Sequence, residues 1–281
     1  MRKCIFLLMF LLSGCISKVA QEAVVPQRIV SLAPSITEIL FAMGAGDKVV
    51  GVTTYCNYPK AAKELPKIGN FAAVDFEKIV ALKPDLVIVT TDGNPCEVIG
   101  KLESLGIRTL VTDSKSFAQL LDSIDAIGKA VGKQEEAQGL LSKLKRDWES
   151  IGEKHREGSQ SAVLLLYGIS PLVAAGEGSL GDELVRQAGG RNIFGDSGRS
   201  YVTTDLEKVI SLSPEVIIQV AMGSETNEGV REGWSRWSSI PAAKNGRIWV
   251  LTPDLITRPG PRIIEGLKLI EKAIHGNGRG K

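Results

Sequence analysis

Short apolar runs alternate with amphipathic stretches along most of the chain. Arg28–Leu32, Leu86–Val89, Ala162–Leu166 and Val216–Val220 are rich in β-branched and aliphatic residues without polar alternation. That is the pattern of parallel strands covered on both faces. Asp75 and Asp205 each open a stretch with an apolar face, Ile79 and Leu82 in one and Val209 and Leu212 in the other, and each stretch stops at a proline. An acidic start and a proline stop predict a short helix in front of a buried strand. From Ser116 to Arg156 the apolar positions Leu120, Leu121, Ile124, Ile127, Leu140, Leu141, Leu144 and Trp148 keep helical spacing, with few strand formers between them. One or two long helices are expected there.

The pattern is written twice. Asp75-Phe-Glu-Lys-Ile-Val-Ala-Leu-Lys-Pro-Asp-Leu-Val-Ile88 and Asp205-Leu-Glu-Lys-Val-Ile-Ser-Leu-Ser-Pro-Glu-Val-Ile-Ile218 share 6 of 14 residues at a constant shift of 130. The register extends outwards, pairing Phe71 with Tyr201 and Gly93 with Gly223. A looser echo relates Glu38-Ile-Leu-Phe-Ala-Met-Gly44 to Glu183-Leu-Val-Arg-Gln-Ala-Gly189, two helices expected to close on a left-handed glycine. Duplication of this kind predicts two α/β lobes of one plan, residues 26–114 and 158–281, joined by the helical segment 115–157.

The N-terminus adds a destination. Met1-Arg2-Lys3, an apolar run from Ile5 to Leu12, then Ser13, Gly14 and Cys15 follow the order of a secretory signal. The apolar run rises only about 12 Å as a helix, against a hydrocarbon core of roughly 30 Å, too short for a permanent span. Leu12-Ser13-Gly14-Cys15 resembles the lipobox of bacterial lipoproteins, which implies cleavage between Gly14 and Cys15, acylation of Cys15 and an extracytoplasmic, membrane-anchored protein; residues 16–25 then serve as a tether. A net charge of +2 over 281 residues provides no basic stripe for nucleic acid. Cys56 and Cys96 remain after removal of Cys4 and acylation of Cys15, either as a disulfide or as free thiols. His155 and His275 lie outside any ligand spacing, so no metal site is expected and both read as solvated.

Three segments, RIVSLAPSITEILFAMGAGDKVVGVTTY, EKIVALKPDLVI and the closing WSSIPAAKNGRIWVL, resemble the helical-backbone periplasmic binding proteins between about Arg28 and Ile274. The resemblance implies two Rossmann-like α/β lobes, each with a central parallel sheet, joined by a long helix, in a monomer that feeds a ligand to the permease dimer of an ABC importer. GVTTYCNYP and TPDLITRPGPRII further resemble the cobalamin-binding members. That resemblance places aromatic ligand contacts on Tyr55, Phe71, Tyr167 and Tyr201, in loops beside strand ends, and a polar pair on Asp254 and Arg258. Thr90 stands where a tryptophan can occur, which implies a more polar pocket. Glu77 and Glu207, at equivalent points of the repeat, match glutamates that dock on the transporter.

Haem and ferric siderophores are the rival ligands: haem could take an axial tyrosine, and a siderophore would favour several arginines. An enzyme acting in the cleft is a rival class, but the chain lacks a Gly-x-Ser-x-Gly elbow, a Walker loop and a Gly-x-Gly-x-x-Gly opening to its first helix. No catalytic residue and no resident cofactor are expected.

Overall fold

A computed structural model describes residues 24–70, 73–91, 93–158, 160–221 and 226–276. The signal, Cys15, Phe71 and Gly223 lie outside these residues. Among the described residues no helix is long and apolar enough to cross a membrane.

The first lobe begins with β1 (Ile29–Ser31), α1 (Pro34–Ala42) and β2 (Val49–Val52), followed by the short α2 (Lys60–Lys63), α3 (Phe76–Ala81), β3 (Leu86–Thr90), α4 (Cys96–Ser104) and β4 (Thr109–Thr112). Its sheet has the order β2-β1-β3-β4 with every pair parallel. Two helices form the bridge, α5 (Phe117–Val131) and α6 (Gln134–Lys154). They are separated by Gly132 at φ 71°, where a left-handed residue ends α5.

The second lobe runs β5 (Ala162–Ile169), β6 (Leu172–Ala175), α7 (Leu180–Gln187), β7 (Arg191–Asn192), β8 (Tyr201–Thr204), α8 (Leu206–Leu212), β9 (Val216–Val220), α9 (Asn227–Ser235), α10 (Pro241–Lys244), β10 (Ile248–Leu251), α11 (Pro253–Ile256) and α12 (Ile263–His275). Its sheet order is β10-β9-β5-β6-β8, with β7 also on β5. The central parallel sheet expected of this lobe is present, and it is extended on one side. β10, β9, β5 and β7 are parallel, but β6 and β8 are antiparallel additions. Residues 162–166 already satisfy the parallel ladder, and β5 continues to Ile169 before the chain reverses at Pro171. A two-residue reversal can only return an antiparallel strand.

The repeat is reproduced atom for atom at several points. Asp75 Oδ1 accepts the Lys78 N–H at 3.0 Å, and Asp205 Oδ1 accepts the Lys208 N–H at 2.8 Å. After α3 and α8, Lys83 (φ 46°) and Ser213 (φ 48°) both take the left-handed conformation before the proline. Gly44 and Gly189, at φ 68° and 78°, close α1 and α7 as expected.

Among the described residues, three apolar clusters form the interior. One fills the outer layer of the first lobe around Ile79, Val87 and Leu102. A second fills the outer layer of the other lobe around Val209, Ile217 and Trp234. The third is continuous through both lobes, running from Ile29 and Ile39 through Leu120, Ile127 and Leu144 to Leu165, Ile218 and Leu267. Burial of about 25 cal/mol per Å² applies to one shared interior here, so the bridge and both lobes cohere as one packed body.

Candidate functional site

The strand ends of the two sheets face one groove. On the first-lobe side a cavity of about 440 Å³ is lined by Pro34 and Ser35 of α1, Tyr55, Thr90 at the end of β3, Asp254 and Arg258. On the second-lobe side a cavity of about 540 Å³ is lined by Lys115, Tyr167, Ser179, Leu180, Ser200 and Tyr201. Ser114, Thr257 and Pro259 border both, so the two cavities are halves of one groove. The crevice beyond the carboxyl ends of parallel strands is where open α/β sheets bind ligands.

Six of the seven predicted ligand residues therefore meet at one place, the seventh being Phe71. Tyr55 stands half exposed in the turn after β2, next to buried Cys56, whose Sγ lies 3.2 Å from the hydroxyls of Thr37 and Thr53. Thr90 is buried, and its N–H donates to Asn94 Oδ1 at 2.9 Å. Tyr167 and Tyr201 sit within or at the start of strands β5 and β8, not in loops, because the antiparallel extension carries both strands to the groove. Their rings are 5.7 Å apart and tilted by 60°, the edge-to-face range for aromatic pairs. Burial, then the neighbouring Tyr201 and Asp182, push the Tyr167 phenol well above the usual tyrosine range, so it stays protonated.

Asp254 and Arg258 form a closed polar ring with Asn57. Arg258 reaches Asp254 at 2.8 Å, Asn57 Nδ2 donates to Asp254 at 3.0 Å, and Arg258 donates to Asn57 Oδ1 at 2.6 Å. The ring presents donors and acceptors together, as side-chain amides of a ligand require. Asn57 was not singled out in the sequence. It stands two residues after Tyr55, and a contact 197 residues away leaves no local signal.

Other expectations fare differently. Cys56 and Cys96 are not bonded: Cys56 is buried behind Tyr55, whereas Cys96 is exposed at the start of α4. Only one histidine is solvated as expected: His275 is exposed, whereas His155 is half-buried, and the two are in contact. His155 and His275 stack with centroids 3.8 Å apart and planes 4° apart, His155 Nε2 meets Glu271 at 2.9 Å, and His275 Nε2 meets the Ala188 carbonyl at 2.8 Å. His155 follows the last residue of α6 and His275 is the last of α12, two helices that pack together, which sequence separation conceals. Among the described residues no group of His, Cys, Asp and Glu could hold a metal ion. Trp148 stacks on Phe117 at 3.9 Å, within the apolar interior. Glu77 and Glu207 are exposed in the first turns of α3 and α8, one on each lobe.

Residues 29–255 match the profile of the periplasmic binding protein family. The chain is 35% identical over 261 residues to an uncharacterised ABC transporter substrate-binding lipoprotein of Bacillus subtilis, covering 89% of this chain and 80% of that one. Its fold matches the crystal structure of the periplasmic vitamin B12-binding protein of Vibrio cholerae with TM-score 0.78 and 29% identity, over 89% of this chain and 96% of that chain. A periplasmic haem-binding protein from a Roseiflexus species matches with TM-score 0.79 and 28% identity, over 89% and 98%.

Proposed function

This chain belongs to the periplasmic binding protein family, and from that premise we propose that it captures cobalamin in the groove between its lobes and delivers it to an ABC importer. The observation that supports this ligand most is the composition of the groove. A broad aromatic side, Tyr167 and Tyr201, faces a compact amide-reading ring, Asn57, Asp254 and Arg258. A corrinoid offers a large flat face and a rim of amides, which match those two surfaces.

Haem is served less well. Both histidines are committed to the α6–α12 contact, and Tyr167, an axial candidate, is held protonated by burial. An anionic siderophore would need several free cationic groups, whereas Arg258 is already paired with Asp254. Catalysis in the groove forms no part of this reading.

Delivery would proceed from a lipid-anchored protein, with Cys15 acylated outside the cytoplasm. Glu77 and Glu207 would dock one lobe each on the permease dimer, their charges steering the approach. Titration of the fragment lacking residues 1–15 with cyanocobalamin, haemin and a ferric siderophore tests the ligand. Micromolar or tighter binding of cyanocobalamin is expected; haemin bound in its place would replace this ligand with the rival. Replacing Glu77 and Glu207 together by alanine should leave that affinity intact while weakening association with the permease.

A further inference from the structure

Two carboxylates near the groove floor have no part in the ligand contacts described above. Glu38 lies in α1 and is almost wholly buried; its carboxylate accepts two bonds from Arg262, from Nε at 2.9 Å and from a terminal guanidinium nitrogen at 2.6 Å. The Arg262 guanidinium also covers the Tyr58 ring at 4.0 Å. Glu183 lies in α7 and accepts the N–H of Phe117, the first residue of α5, at 2.8 Å.

These glutamates occupy the same position of the duplicated first helix. Each precedes its left-handed glycine by six residues, and the closing bonds repeat: Met43 N–H to Ile39 O and Ala188 N–H to Leu184 O, Gly44 to Phe41 and Gly189 to Arg186, Ala45 to Leu40 and Gly190 to Val185. Each also holds the chain that arrives from the opposite sheet. Glu183 of the second lobe holds the segment leaving β4, which supplies Ser114 and Lys115 to the groove. Glu38 of the first lobe holds the segment leaving β10, which supplies Asp254, Thr257, Arg258 and Pro259.

We infer that Glu38 and Glu183 are a matched pair of positioning residues that latch the two crossing segments across the lobes and so fix the groove floor before ligand arrives. The inference rests on the groove being the ligand site. Holding contact groups in place in advance removes their ordering cost from binding.

Hydrogen exchange on the unliganded full-length protein tests the latches without any ligand. Glu38→Ala should speed exchange about tenfold in residues 253–262 and leave 113–120 unchanged, and Glu183→Ala should do the reverse. Glu183→Gln, which keeps an acceptor for the Phe117 N–H, should restore protection. Should Glu38→Ala not fold, Glu38→Leu with Arg262→Leu removes the charge pair as a unit; faster exchange in 253–262 despite an unchanged Tm supports the latch. Uniform acceleration across the chain, or protection of both segments in every variant, overturns it. Where wild type binds cyanocobalamin, each alanine variant should lose about tenfold in affinity. Wild type that binds none removes the ligand reading, while the exchange result still decides the latches.

Discussion

The two lobes agree where they fold and differ where they face the groove. Their outer units, α3 with β3 and α8 with β9, share an aspartate cap, a left-handed residue before proline and a buried parallel strand. Their inner rims do not match. The first lobe offers Tyr55, Thr90 and, through Asn57, a polar ring; the second offers the Tyr167–Tyr201 pair on a sheet enlarged by β6 and β8. A duplicated fold with diverged rims can grip a ligand that is itself unlike at its two ends.

The largest effects should come from the outer units, and there the lobes should respond alike. Ile79 and Val209 are both fully buried, each in the outer cluster of its own lobe. Ile79→Ala should cost about 2–4 kcal/mol, and Val209→Ala roughly two thirds of that, since it removes two carbons instead of three. Urea unfolding measures both. A much larger disparity would show that one outer layer carries far more of the fold than the repeat suggests.

The rims should respond unequally. Tyr201→Ala removes half of an aromatic pair and should weaken cyanocobalamin binding about tenfold, or 1.4 kcal/mol. Tyr55→Ala, on the polar side, should cost about threefold. Gly181→Ala offers an indirect route to the same rim, because a methyl group there collides with the Tyr167 hydroxyl. It should lower affinity while leaving the polar ring intact. Calorimetry that found Tyr55→Ala the more damaging would invert the assignment of aromatic and polar sides.

How much of this was legible follows the range of the interactions. The strands at 29, 86, 162 and 216, the bridge helices and the glycine caps all express local rules, periodicity and left-handed conformations, so the sequence announces them. The resemblance to known binding proteins placed the groove residues. The Glu38–Arg262 pair spans 224 residues and the Asn57–Arg258 bond 201. Nothing near Glu38 distinguishes a buried, bridged glutamate from an exposed one on a helix, and residues 252–262 read as part of the second lobe although they are tied to the first. The antiparallel β6 and β8 escaped for another reason: β6 is only four residues long, and its direction is set by the reversal at Pro171.

The smallest expected effect probes the most faithful part of the repeat. Asp75→Ala and Asp205→Ala each remove one N-cap acceptor and should lower the urea midpoint slightly and by nearly equal amounts. Acid should then remove the difference between wild type and Asp75→Ala. The backbone N–H of Lys78, followed by its side chain, holds the Asp75 carboxyl below the usual aspartate range. A carboxyl with a lowered folded pKa stabilises the protein above its unfolded value, about 3.9, and that contribution disappears as pH falls through the folded value. The difference between wild type and Asp75→Ala should therefore be complete near neutral pH and close below about pH 4. Part of it should also shrink in high salt, because the Lys78 ammonium lies 3.1 Å from Asp75 in an exposed pair. A difference that persisted unchanged into acid would mean that Asp75 acts through backbone conformation, not charge.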